Sequence, residues 1–154
     1  MHIHFVYLLA LLLLAATVHA AVLRERTRGR VAELVLLYLL VGYCGVPMLA
    51  VSIWVLVSPE HAAAGFGFSA AGPLLAFFGW AYLGMSLLAL LALRYRGTFL
   101  VAPVVVWTAY LGGATLVHLQ GSPGRAVEIL ASHGLIAILL VGALITSGAW
   151  KELG

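Results

Sequence analysis

The sequence predicts an all-α fold: a polytopic membrane bundle of five transmembrane helices, N-terminus outside and C-terminus in the cytoplasm. Three observations carry this. The chain is 64% hydrophobic and 8% charged, with a mean hydropathy of +1.15, whereas a water-soluble domain needs about 25% charged residues to cover its surface. Five apolar runs, residues 3–23, 31–57, 73–93, 99–119 and 129–150, reach the roughly 20 residues that cross about 30 Å of hydrocarbon. Seven of the eight Lys and Arg fall in alternate connections, which sets orientation because short cytoplasmic loops retain basic residues. Lipid offers the backbone no hydrogen-bond partner, so the runs must be helices; their unbroken apolarity rejects the alternation of a membrane β-barrel. The five runs use most of the 154 residues, leaving one bundle and no soluble domain.

The first run, 3–23, ends against Arg24, Arg26, Arg28 and Arg30. Val18-His19-Ala20 before Ala21 has the small-residue spacing of a signal cleavage site, but Met1-His2-Ile3-His4 lacks the positive start of a signal peptide. We therefore expect a retained helix entering from outside. The second run, 31–57, is the longest and contains Gly42, Gly45 and Pro47. Proline removes a backbone donor and clashes with the preceding turn, so a kink is expected near Tyr43 to Pro47, as a structural bend or as a widened pocket beside Tyr43 and Cys44. Glu33 is the only carboxylate inside a run and lies near its cytoplasmic end. A structural ion pair with a nearby arginine such as Arg30 offsets the cost of placing it there.

Residues 58–72, with Glu60, His61, Phe66 and Phe68, are too apolar for a solvated loop. They predict an interfacial or re-entrant segment, or one whose Phe side chains pack on the bundle mouth. The third and fourth runs are joined by Arg94 and Arg96, and Pro103 falls near the start of the fourth. The fifth ends at Trp150 and Lys151, while Arg125 alone represents basic charge on the opposite side. Trp54, Tyr95 and Trp150 mark the rims; Trp80, Tyr82, Trp107 and Tyr110 lie deeper, as core or as the lining of a site for a flat hydrophobic ligand. Small residues four apart (Ala16/Ala20, Ala109/Gly113, Gly142/Thr146, Ala143/Ser147) allow close helix approach within the bundle or to a partner helix.

Five Glu and no Asp leave no Ser-His-acid logic, and no H-E-x-x-H or C-x-x-C pattern is present. One Cys forms no internal disulfide, and scattered basic residues make no nucleic-acid stripe. The histidines are the most informative polar set. His2, His4, His61, His118 and His133 fall at the outer end with Glu60, Glu128, Gln120 and Arg125; His19 alone lies toward the cytoplasm. His118 closes the fourth run and His133 lies four residues, roughly 6 Å, into the fifth. Antiparallel neighbours joined by a short connection can bring two such imidazoles together, which the sequence leaves open; if they converge, the geometry is one that binds haem iron or a metal ion. His118, His133 and Glu128 are thus the candidate cofactor-binding residues, and His118, His133 and His61 the candidate metal ligands. A quinone or chlorin pigment headgroup can use the same donors. The bland alternative is that these side chains sit there because the interface is wet.

Arg30-Val31-Ala32-Glu33-Leu34 with Leu36-Leu37-Tyr38-Leu39, Gly79-Trp80-Ala81-Tyr82-Leu83-Gly84, Leu111-Gly112-Gly113-Ala114 followed by Val117-His118-Leu119, and Pro123-Gly124 carry a resemblance over most of the chain. On these segments the chain resembles an uncharacterised prokaryotic family of small five-helix integral membrane proteins, a domain of unknown function. The resemblance implies the same topology. It also implies acidic residues in the outer half of the third span and early in the fifth, where this chain has Ala76 and Phe77, and Ser132 and His133. His118 is the best-matched polar position.

The first functional expectation is an accessory or structural subunit of a larger respiratory or photosynthetic assembly in the cell inner membrane. It would act by helix packing against lipid and other membrane subunits. The alternative is a redox membrane protein binding haem, metal, quinone or pigment through the outer histidines. A transporter requires a polar path, and no run carries a carboxylate near its midplane.

Overall fold

The computed structural model describes the backbone of residues 2–23, 26–67, 72–121, 124 and 126–153, and the side chains of these except 2–5, 152 and 153. Arg24, Phe68, Pro123 and Arg125 lie outside the described residues, as do the side chains of His2 and His4. Among the described residues the fold is helical throughout, without a strand. Four continuous helical stretches are long and apolar enough to cross a membrane: Arg28–Val57, Pro73–Leu91, Gly97–Gly121 and Ala126–Ser147. The N-terminal helix, α1 (His2–Val22), contributes a shorter apolar stretch, Val6–Val22.

α2 (Arg28–Leu37) begins at Thr27, whose hydroxyl accepts from the Arg30 N–H at 3.3 Å, and so supplies one partner to the open first turn. It runs through a π segment (Tyr38–Gly45) into α3 (Val46–Val57). The irregularity expected around Pro47 is therefore a widened turn of eight residues that ends just before the proline, which sits in the first turn of α3. A proline ring clashes with the carbonyl four residues back, and widening the preceding turn to an i−5 ladder moves that carbonyl away. α4 (Pro59–Phe66) follows, then α5 (Pro73–Leu91). A short 3₁₀ turn (Gly97–Leu100) leads into α6 (Val101–Gly121). The last crossing is α7 (Ala126–Ile129), a second π segment (Leu130–Gly134) and α8 (Leu135–Ser147), closed by Gly148 in the left-handed conformation at φ 78°.

The main core lies between α2, the first π segment, α6 and α8. Leu36, Leu39, Leu40, Leu100, Ile136 and Leu140 are fully enclosed there, with Trp107. α1 joins by one face, through Leu9 and Ala16 and through Leu12 against Gly42. A smaller cluster of Val55, Ala62, Ala63 and Leu75 binds α4 to α3 and α5. The rest of the surface is strongly apolar: Leu11, Phe77, Trp80, Leu116, Val127 and Ile138 are all more than 60% exposed, a surface suited to lipid and unusual on a protein in water.

Charge divides the bundle by its ends. Gly29 lies against the Ser147 carbonyl, and the 3₁₀ turn at Gly97–Leu100 packs on the C-terminal 3₁₀ turn (Ala149–Leu153). Arg28, Arg30, Arg94, Arg96 and Lys151 thus belong to one end, while α4 and His118 belong to the other. At the basic end, Arg30 Nη1 stands 4.0 Å from Glu33 Oε2. The Arg26 guanidinium donates to the Ala21 carbonyl.

The small-residue pairs divide as well. Ala16 is buried and Ala143/Ser147 half-buried, but Ala109/Gly113 and Gly142/Thr146 face outward, with open space beside both glycines. Gly79 of α5 packs closely on α3: an added methyl would stand 2.9 Å from Val55 Cγ1 and 2.8 Å from Leu56 Cδ2. Val55 is β-branched and buried, so it cannot swing aside. Gly79→Ala should therefore destabilise the fold by about 1–3 kcal/mol, read as a lower midpoint of thermal unfolding in mild detergent. Gly113→Ala, with no neighbour to meet, should leave the midpoint within error.

Candidate functional site

α6 and the last crossing run antiparallel from the end that carries α4, so the last turn of α6 faces the second π segment. This brings His118 and His133 together: their ring centres are 5.4 Å apart and tilted by 48°. His118 is exposed, at the mouth, and His133 is half-buried below it. The Ser132 hydroxyl lies 2.8 Å from His133 Nδ1 and 3.4 Å from the Ile129 carbonyl. A hydroxyl has one proton. If it goes to Ile129, His133 donates from Nδ1; if it goes to Nδ1, the imidazole proton sits on Nε2. The direction of the Ser132 hydroxyl and the tautomer of His133 are therefore linked.

Beneath the pair is a cavity of ≈ 410 Å³. Both histidines line it, and Tyr43, Phe78, Tyr82, Trp107 and Tyr110 give it aromatic walls. Phe78 and Tyr82 lie nearly parallel, at 18° with centres 6.1 Å apart. Tyr110 meets Tyr82 edge-on at 5.8 Å, and Trp107 meets Tyr110 edge-on at 5.6 Å. The Tyr110 hydroxyl donates to that of Tyr82 at 3.5 Å, and the Trp107 indole N–H donates to the Met85 carbonyl at 3.3 Å, tying α6 to α5.

The cavity lies between the two packing clusters. Its lining takes Tyr43, Trp107 and Leu111 from the main core and Val51 and Leu75 from the cluster under α4. Phe66, at the end of α4, packs on Trp54 with centres 5.5 Å apart and also reaches the cavity. The apolar 58–72 segment is thus partly explained: Ala62 and Ala63 dock a short helix beside the mouth, and Phe66 helps to close it.

Both π segments contribute to the lining, Tyr43 from the first and Ser132 and His133 from the second. They are joined directly, since the Tyr43 hydroxyl donates to the Ser132 carbonyl at 2.5 Å. Shifting a helical ladder from i−4 to i−5 and back leaves a carbonyl in that stretch short of a backbone donor, which a buried site must replace.

The candidate residues divide accordingly. His118 and His133 converge, and Pro47 lines the cavity. Glu128 on α7 and His61 on α4 are exposed and are not part of the lining. Among the described residues no three His, Cys, Asp or Glu gather into a set that could hold a metal ion. Glu33 and Arg30 belong to the opposite end. Of the deep aromatics, Tyr82, Trp107 and Tyr110 face the cavity, whereas Trp80 is 64% exposed and turned outward. Phe78, Met48, Val51, Leu75 and Leu111 were not singled out from sequence. Nothing in an unbroken apolar run distinguishes a lipid-facing side chain from a cavity-facing one, and among the described residues only the polar atoms nearby offered a clue.

Tyr43→Phe removes the hydroxyl and with it the hydrogen bond to the Ser132 carbonyl. Hydrogen bonds between membrane helices are worth about 0.6–1.7 kcal/mol, so a loss of that size is expected in detergent unfolding. Faster amide exchange should accompany it in both π segments rather than in α6.

Neither the curated proteins nor the solved structures contain a match to this chain. The family model described as "Family of unknown function (DUF6790)" matches residues 2–147. That span takes in every helix from α1 to α8 and both histidines of the pair, so the chain belongs to the DUF6790 family.

Proposed function

We propose that this chain is a small integral membrane protein that holds a flat, lipid-soluble cofactor in the cavity beneath His118 and His133. The supporting observation is the coincidence of three features in one place: aromatic walls, two converging imidazoles and a volume of ≈ 410 Å³. Small-molecule sites occupy about 300–1,000 Å³ and combine apolar walls with a few placed polar groups. In this reading α1 is a fifth span. The end with Arg28, Arg94 and Lys151 faces the cytoplasm, and the histidine end faces outside, in the inner membrane, as the distribution of basic residues favours. An accessory-subunit role rests on the apolar exterior alone, which lipid already accounts for. The cavity is a feature that such a role does not need, so ligand binding takes precedence.

Native mass spectrometry of the protein extracted from its own membranes in mild detergent tests this. The chain should carry the added mass of a lipophilic molecule, and Met48→Trp, which fills the cavity from a half-buried position, should lose it while remaining folded. A bare chain would overturn the proposal. A particle held together by other polypeptides, with no small molecule, would return the reading to an accessory subunit.

A further inference from the structure

We infer that the ligand is a quinone-type headgroup: one or two fused rings with oxygens at opposite edges, and a tail that leaves toward the bilayer. This rests on the reading that the cavity holds a lipid-soluble molecule. Four observations narrow the class.

Size comes first. The cavity of ≈ 410 Å³ lies at the small end of the range for such sites, about 300–1,000 Å³. It has room for one or two rings and the beginning of a tail; a tetrapyrrole, several times larger in area, exceeds it. The ligand set comes second. It consists of two imidazoles and the tyrosine hydroxyls of the lining, groups that hydrogen-bond ring oxygens.

The walls come third. Tyr82 and Phe78 lie nearly parallel, with Tyr110 and Trp107 edge-on behind them. Electron-rich aromatic faces attract an electron-poor ring, and the two carbonyls of a quinone make its ring electron-poor.

The spacing of donors comes fourth. Tyr82 accepts a hydrogen bond from Tyr110, which leaves its own O–H to donate to an acceptor in the cavity it lines. The histidine pair lines the same cavity at its mouth. Tyr110 and His118 are eight residues apart on α6, about 12 Å along the helix, so the tyrosine pair and the histidine pair lie toward different ends of the lining. A ring with oxygens at both ends meets both pairs; one with a single polar edge leaves one pair unused.

The test is binding of menadione, a two-ring quinone, and of a short-tailed benzoquinone to the full chain in detergent micelles. Naphthalene and haem serve as comparison probes. Quenching of Trp107, which is 1% exposed and lines the cavity, is read in a Trp54→Phe, Trp80→Phe, Trp150→Phe background. Equilibrium dialysis with the unaltered chain gives the same answer if that background folds poorly. At least one quinone should bind saturably, naphthalene and haem should not, and Tyr82→Phe and His133→Ala should each weaken the quinone about fivefold; the tighter of the two quinones identifies the ring number. Naphthalene binding as well as the quinones, or affinity unchanged in both variants, would overturn the class and leave the occupied cavity standing. So would saturable haem with no quinone binding. If no probe binds, the quinone class is overturned; an extracted chain that is also bare overturns the cavity reading with it.

Discussion

The hydrogen bond from the Tyr43 hydroxyl to the Ser132 carbonyl joins the two places where long helices of this chain leave α geometry. In hydrocarbon a backbone carbonyl without a donor finds no water to replace it, so a widened turn persists only where the protein supplies a partner. Tyr43 supplies one across the bundle. Pro47 shapes the first π segment from below by requiring the carbonyl four residues back to move. The second carries Ser132 and His133, so the displacement that Tyr43 stabilises also sets where the imidazole stands. Without the two widened turns, the side chains lining the cavity would lie in different registers on their helices.

Several other hydroxyls follow the same constraint by a local route. Ser52, Ser86 and Ser147 donate to the carbonyl three residues back, and Thr17, Thr115 and Thr146 to the carbonyl four residues back. These hydroxyls are satisfied by their own helices and leave little polarity to hold helices together. Association then depends on shape: Gly79 against Val55, Gly42 against Leu12, Gly29 against the Ser147 carbonyl. Among the described residues, three hydrogen bonds that cross between helices, Tyr43 to Ser132, Trp107 to Met85 and Tyr110 to Tyr82, start from residues that line the cavity. A fourth, between His19 Nδ1 and the Tyr38 hydroxyl at 3.3 Å, ties α1 to the first π segment away from the cavity.

Much of this was legible from residue types. Four of the five apolar runs correspond within a few residues to the stretches long and apolar enough to cross a membrane, because crossing length and apolarity are properties of a segment by itself. Two helix ends and a short connection placed His118 and His133 near one shared turn; whether they converge was not legible from the sequence and is decided by how the two helices pack. The disturbance before Pro47 was legible for a local reason too. Its form was not: a kink and a π turn answer the same steric clash, and neighbouring helices select between them. Trp80 and Trp107 illustrate the other limit. Both are deep tryptophans in apolar helices, yet one faces outward and the other the cavity. Weak amphipathicity removes the periodic signal that identifies a buried face in a soluble helix.

By itself the sequence determined that this chain is helical, that its helices are long and apolar enough to cross a membrane, and that its basic residues group on alternate connections. Each of these depends on composition along one segment, which the solvent reads without reference to neighbours. The tertiary structure decided which side chains face each other: the two π segments, the gap between two packing clusters, and the aromatic and imidazole lining of that gap. When every face of a helix is apolar, lipid and protein are nearly equivalent partners for it. The choice between them is then made by shape and by a few hydrogen bonds across the bundle, which only the packed structure contains.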